Sequence, residues 1–207
     1  MSNQPDISYI LSLYNRIDYL KVCAYALKMQ THTNFEVIVT DNTINNVQAK
    51  EHKDFIKSLN DSRFNYVRTN AINKVNDCYW SSEHGMGLAS GQWLCFPCED
   101  NYYPPEWGQR MLSTAALNQL DLVLCEYAIA GPDGPASGAD HYLRIQMRSL
   151  SYPGYKPSFI VRASKFPGWI NKPTINACSG VDRTTLIYME QAGFKWGIAR
   201  DLYYVHN

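Results

Sequence analysis

The chain has 207 residues, 19 of them basic and 19 acidic, for a formal net charge of zero. That length fits one α/β domain, or one domain with a small appendage, and 45% hydrophobic residues can fill a sizeable core. Balanced charge without a Lys/Arg run argues against a nucleic-acid partner, while a local basic pocket for phosphates stays compatible with it.

The N-terminus has no charged-then-apolar leader, and no apolar run reaches transmembrane length. The expectation is a cytoplasmic chain that reaches the inner face of a membrane only peripherally. The six cysteines are Cys23, Cys78, Cys95, Cys98, Cys125 and Cys178. Cys95 and Cys98 have CxxC spacing, but Cys95 falls in a predicted strand and no second Cys or His pair completes a zinc set. Cys23, Cys95 and Cys125 sit among apolar residues and read as reduced core thiols, which points to a reducing compartment.

In chain order, residues 7–12 read as a first strand. Asn15, three residues before Asp18, has capping-box spacing for a helix running to about Met29. Residues 35–40 form a second strand that exits through Asp41-Asn42-Thr43. A helix over 45–59, a strand over 64–68 and a helix over 78–90 follow, the last ending near Gly91. A fourth strand spans 93–97. A helix over 105–120 and a fifth strand over 121–127 come next. This βαβαβαβαβ order predicts a mostly parallel, Rossmann-like sheet with helices on both faces. The turn-rich stretch 131–140 reads as a surface loop or a mobile loop near a site. A sixth strand over 158–162, a helix over 182–192 and a strand pair over 196–205 complete the chain.

Four clusters fall at strand ends or helix starts: Ser12-Leu13-Tyr14-Asn15, Asp41-Asn42, Glu99-Asp100, and Asp182. A parallel sheet brings the first three to one carboxyl edge, where α/β proteins bind ligands. Tyr14 can stack on a base or simply pack. Asn42 can pair with a base edge or close an Asx-turn. Glu99 can accept bonds from vicinal ribose hydroxyls. Asp100 can ligate Mg²⁺ or Mn²⁺, or cap the next helix. Asp182, at a helix N-terminus, is favoured as an anion; it can take a proton from an attacking hydroxyl or act only as a cap beside Arg183.

With these motifs in order, the chain resembles the family 2, GT-A-type glycosyltransferases. The likeness is carried by Tyr14-Asn15-Arg16 after the first strand, Gln30-Thr31, Asp41-Asn42, the Gly85-x-x-x-Ala89-x-Gly91 run, Cys98-Glu99-Asp100-Asn101, and Val181-Asp182 with Ala192-Gly193-Phe194-Lys195. The acidic motif is most similar to the Thr-Asp-Asp-Asn form of a spore-coat glycosyltransferase. The resemblance implies a GT-A fold with a nucleotide-binding half over 1–104 and an acceptor-binding half over 105–207. It implies inverting transfer from a nucleoside-diphosphate sugar, a UDP-sugar first, to a saccharide or lipid-linked saccharide acceptor of a surface polysaccharide, with Mn²⁺ or Mg²⁺ as cofactor. By the same resemblance Ser12, Tyr14 and Asn42 meet the nucleoside, Glu99 the ribose and Asp100 the metal, and Asp182 is the general base. The loop 131–140, Tyr142 and Arg144 are candidates on the acceptor side.

Three positions depart from the family pattern. Cys98 replaces the first Asp of Asp-x-Asp, Asn42 stands where many members carry Asp, and Val181 replaces a Glu beside the base. They motivate the alternative of a non-catalytic nucleotide-sugar-binding or scaffolding domain. A sugar nucleotidyltransferase is disfavoured, because Ser12-Leu13-Tyr14-Asn15 supplies no Gly-rich phosphate loop with a basic residue.

Overall fold

The computed structural model describes residues 4–69, 78–129, 143–145, 158–169 and 181–206. The elements are β1 (Ile7–Leu13), α1 (Ile17–Lys28), β2 (Phe35–Asp41), α2 (Asn46–Ser58), β3 (Phe64–Arg68), α3 (Cys78–Met86), β4 (Trp93–Cys95), β5 (Asn101–Tyr102), α4 (Trp107–Asn118), β6 (Leu122–Ile129), β7 (Leu143–Ile145), β8 (Phe159–Arg162), α5 (Val181–Gln191) and β9 (Trp196–His206). The loop 131–140, Tyr142, Cys178 and the side chain of Arg144 lie outside the described residues.

The first strands are continuous apolar runs because both of their faces are covered. β1 buries all seven residues. Leu11 and Leu13 pack with Leu20, Cys23 and Leu27 of α1 and with Trp107 and Met111 of α4. Ile10, on the opposite face, packs with Tyr79 of α3 and with Leu186 and Met189 of α5. Helices therefore cover both faces, as expected. Cys23, Cys95 and Cys125 are buried, and five cysteines among the described residues are free thiols.

The sheet itself is mixed, which corrects the expectation of a mostly parallel one. Its order is β3-β2-β1-β4-β8-β6-β9-β5, with β7 also on β6. β3, β2, β1 and β4 pair in parallel. β8 then inserts antiparallel between β4 and β6, so the fifth strand in sequence is not the next strand in space. β9 runs parallel to β6, while β5 and β7 pair antiparallel.

The expected strand pair at the C-terminus is one strand with a bulge. Cys125 pairs with Ala199, but Glu126 pairs with Tyr203, and Asp201 takes a positive φ of 54° inside the break. The capping box at α1 is also corrected. Arg16 occupies the N-cap position without a side-chain cap bond. Asn15 adopts a φ of 61°, and its N–H donates to Thr43 Oγ1 at 3.0 Å, tying the turn after β1 to the turn after β2. No helix among the described residues is long and apolar enough to cross a membrane.

Two motifs have direct packing causes. Gln30 bridges the end of α1 to the start of α4: its Nε2 donates to Pro104 O at 2.7 Å, and its Oε1 accepts from Gly108 N at 2.9 Å. Gly85 and Gly91 let α3 and the turn after it lie against the sheet. A Cβ at Gly85 would sit 2.5 Å from Ile10 Cγ2, and one at Gly91 would sit 2.6 Å from Ser8 N.

Candidate active site

At the carboxyl edge, Ser12, Leu13, Tyr14, Asn42, Cys78, Ser81 and Glu99 line one small crevice. Three of the four predicted clusters thus meet, although they lie far apart in sequence. The chain after β4 reaches the crevice because Ser12 holds it: Ser12 N donates to Pro97 O at 3.0 Å, and Glu99 N donates to Ser12 O at 3.2 Å. The Ser12 hydroxyl faces α3, donating to Cys78 O at 3.1 Å and lying 2.9 Å from Ser82 Oγ. These bonds fix Ser12 in the wall of the crevice.

Asn42 is not the residue that closes the turn after β2. Asp41 does so, with Oδ1 accepting from Thr43 N at 2.8 Å. Asn42 N donates to Leu13 O at 3.0 Å, and its Oδ1 accepts from Thr69 Oγ1 at 3.2 Å. Behind it lies a buried network that the sequence did not suggest. Asp41 Oδ2 meets His52 Nδ1 at 3.0 Å and accepts from Tyr66 Oη at 2.6 Å. Burial alone would raise the Asp41 carboxyl, but the bonds from His52, Thr43 and Tyr66 outweigh it and hold the group below its usual value.

Glu99 and Asp100 occupy different surroundings. Burial first, and the Asp100 charge after it, push the Glu99 carboxyl up to about 7, against the opposing pull of its own N–H, Arg16 and the Tyr14 N–H. A carboxyl so placed can accept from a hydroxyl when ionised and donate to one when protonated. Asp100 Oδ2 pairs with Arg16 Nη1 at 2.9 Å, and Oδ1 accepts from Asn101 Nδ2 at 3.2 Å. The Arg16 guanidinium also lies 3.7 Å over the Tyr19 ring. Asp100 does not cap α4, whose N-cap is Glu106. Asn101 closes the acidic turn instead, with Oδ1 accepting from Cys98 N at 2.7 Å. Cys98, where a first Asp would stand, is bound there through its backbone.

Asp182 lies in the first turn of α5 and accepts from Tyr79 Oη at 2.8 Å. Tyr79 belongs to α3, the helix whose first residue, Cys78, lines the crevice. Val181, the departure beside Asp182, is buried in the core formed with Leu186 and Met189. Sequence reasoning named Asp41 and Arg16 only within motifs, without a role of their own, and missed His52, Tyr79 and Ser82. Arg16 carried a signal, as the basic residue following Tyr14-Asn15.

Among the described residues, no group of three or more His, Cys, Asp or Glu could hold a metal by itself. The donor set nevertheless fits a shared ion. Mg²⁺ bound with a nucleotide takes one or two carboxylates and completes its sphere with phosphate oxygens and water. The Glu99-Asp100 pair suits that arrangement and does not suit a cage made by protein alone.

Residues 8–164 match the model of the family described as Glycosyl transferase family 2. Two Bacillus subtilis (strain 168) proteins named as glycosyltransferases are similar over 124 residues: EpsH at 25% identity, covering 60% of this chain and 34% of EpsH, and EpsJ at 27% identity, covering 59% and 34%. The chain spans about a third of the length of these curated relatives. Among solved structures, residues 1–349 of S. aureus TarS superimpose with a TM-score of 0.72 at 15% identity, covering 98% of this chain and 60% of that one. The mannosyltransferase PcManGT from Pyrobaculum calidifontis, in complex with GDP-Man and Mn²⁺, superimposes with a TM-score of 0.73 at 11% identity, covering 99% and 57%. These likenesses establish a shared GT-A-like fold, a mixed sheet flanked by helices, and the family match reaches most of the chain. The chain belongs to glycosyl transferase family 2.

Proposed function

We propose that this chain is an inverting glycosyltransferase that moves a sugar from a nucleoside-diphosphate sugar, a UDP-sugar first, to a hydroxyl of a saccharide or lipid-linked saccharide. The observation that carries this reading is the crevice itself: Ser12, Tyr14, Asn42 and Glu99 converge on it from three strand ends, with Asp100 adjoining. The fold is shared with TarS, which has been crystallised with UDP-GlcNAc, and with PcManGT, whose ligand is GDP-Man. That pair of bases is consistent with Asn42 accepting from a base through its oxygen or donating through its nitrogen.

In this reading Tyr14 stacks on the base, Asn42 bonds its edge, Glu99 takes the ribose hydroxyls, and Asp100 holds Mn²⁺ or Mg²⁺ with the donor phosphates. The likeness of the acidic motif to that of a spore-coat enzyme supports the last assignment. When bound, the metal neutralises charge on the departing diphosphate. Asp182 takes the proton of the acceptor hydroxyl as its oxygen bonds the anomeric carbon and the bond to diphosphate breaks on the opposite side. Residues 1–104 then serve the nucleotide and 105–207 the acceptor. Free thiols among the described residues support a reducing, cytoplasmic setting, with peripheral contact at the inner face of a membrane that assembles surface polysaccharide.

The Arg16–Asp100 ion pair favours a second reading. It satisfies the carboxylate expected to hold a metal, as a non-catalytic nucleotide-sugar-binding domain would allow. Two variants separate the readings. Asp182→Asn is expected to lower transfer roughly 10²-fold or more while sparing nucleotide binding; unchanged turnover would remove Asp182 as the base. Asp100→Ala is expected to abolish the Mn²⁺ dependence of nucleotide binding. Binding without turnover in the wild-type protein, across a broad acceptor panel, would select the second reading.

A further inference from the structure

Asp182 is held from outside its own helix by the Tyr79 hydroxyl, 2.8 Å from Oδ1. Tyr79 is in turn immobilised. It is buried in the core that includes Phe96 and Val181, and its ring meets Trp169 edge-on at 5.1 Å. The helix that carries it is bound to β1 through Ser12, whose hydroxyl meets Cys78 O and Ser82 Oγ, and to β2 through Ser81 Oγ, which donates to Thr40 O at 3.1 Å.

We propose that Tyr79 is the positioning residue for Asp182, anchoring Oδ1 so that the carboxylate presents one orientation to the acceptor hydroxyl. The proposal rests on the reading of Asp182 as the general base. An Asp side chain at a helix start has two torsions of its own, and a reaction that requires aligned atoms loses rate when they wander. A phenol fixes one oxygen without the full positive charge that would make a base weak. A Lys or Arg in the same place would orient the carboxylate and also depress its basicity.

Among the described residues, the titratable groups that interact with Asp182 include Tyr79 from α3 and Tyr204 from β9, and Arg183 follows it on α5. Tyr204 is coupled to both Asp182 and Cys98, and burial keeps its hydroxyl protonated. Tyr79 contributes a neutral hydrogen bond to this carboxylate. Because that bond favours the ionised form, its removal raises the pH at which Asp182 titrates.

The test uses Tyr79→Phe, which keeps the ring and its contact with Trp169. Trp169→Phe is the packing control and Asp182→Asn the control for the base. Turnover of UDP-GlcNAc, UDP-glucose and GDP-mannose is followed over pH, and the Asp182 carboxyl is titrated directly by ¹³C NMR, assigned by its absence in Asp182→Asn. Tyr79→Phe is expected to lower kcat about tenfold with the donor KM unchanged, and to move the acid limb and the ¹³C midpoint upward by about half a pH unit or more. Trp169→Phe is expected to leave the midpoint in place. An unmoved midpoint in Tyr79→Phe overturns the proposal, whether or not any donor turns over. Wild-type turnover in Asp182→Asn overturns the base reading, and this proposal with it. Loss of turnover in Asp182→Asn, with kcat and acid limb intact in Tyr79→Phe, overturns the positioning role alone.

Discussion

Asp41 lies behind the crevice, next to Asn42, which lines it. Its carboxylate is buried and receives His52, Tyr66 and the Thr43 N–H, so β2, α2 and β3 meet at one charge. A buried ion keeps its stabilising effect only while its bonds are complete. His52→Ala is expected to cost about 1.5–3 kcal/mol, the worth of a hydrogen bond to a charged group, measured by urea unfolding at neutral pH. The direction with pH follows from the depressed Asp41 carboxyl. Its contribution is complete above the unfolded-state value, about 3.9, and is lost as pH falls through the lower folded value. Removing His52 raises the folded value, so acid unfolding is expected to begin at higher pH in the variant. The same onset in both proteins would exclude Asp41 as a source of the acid limb.

Among the elements, α3 links the crevice to Asp182. Its first residue lines the crevice, its second holds Asp182, and its fifth meets Ser12. It can do so because Gly85 lets it lie against the strands: a Cβ there would come within 2.5 Å of Ile10 Cγ2 and 2.9 Å of Thr40 Cγ2. Gly85→Ala is therefore expected to lift α3, cost about 1–3 kcal/mol by overpacking, and weaken both nucleotide binding and turnover. Loss of stability with both functions intact would show that the strands yield and the helix does not. The existence of α3 was legible in the sequence, because Gly91 and a strand follow it, but the helix ends at Met86 rather than at the expected residue 90. The reach of its side chains was not. Tyr79 and Asp182 are 103 residues apart, and Arg16 and Asp100 are 84 apart; no local periodicity encodes a contact at that distance. By contrast, Asn42, Glu99 and Asp100 stood out because they belong to short polar clusters at the ends of apolar strand runs.

For the molecule as a whole, the parallel half of the sheet was readable because β1, β2 and β3 alternate with helices of ordinary length. The other half was not, because β8 is four residues long and its sequence, Phe159–Arg162, carries no mark of direction or partner. Only the pairing with β4 and β6 reveals that it runs antiparallel between them. A ligand that binds the folded form and not the unfolded chain raises the stability of the fold. A ligand at a hundred times its dissociation constant adds about 2.7 kcal/mol to unfolding. For a chain of this size each kcal/mol raises Tm by about 2–4 °C, so a rise of roughly 5–10 °C is expected. UDP, GDP, CDP and dTDP, each with Mn²⁺ and with EDTA, make the comparison. A rise with UDP that EDTA removes is the result expected if Asp100 shares its ion with the diphosphate. A rise that survives EDTA would assign the diphosphate to Arg16 instead, the one cation already paired with Asp100 among the described residues. The Arg16→Gln protein would then lose the rise, whereas under the metal reading it would keep its Mn²⁺ dependence.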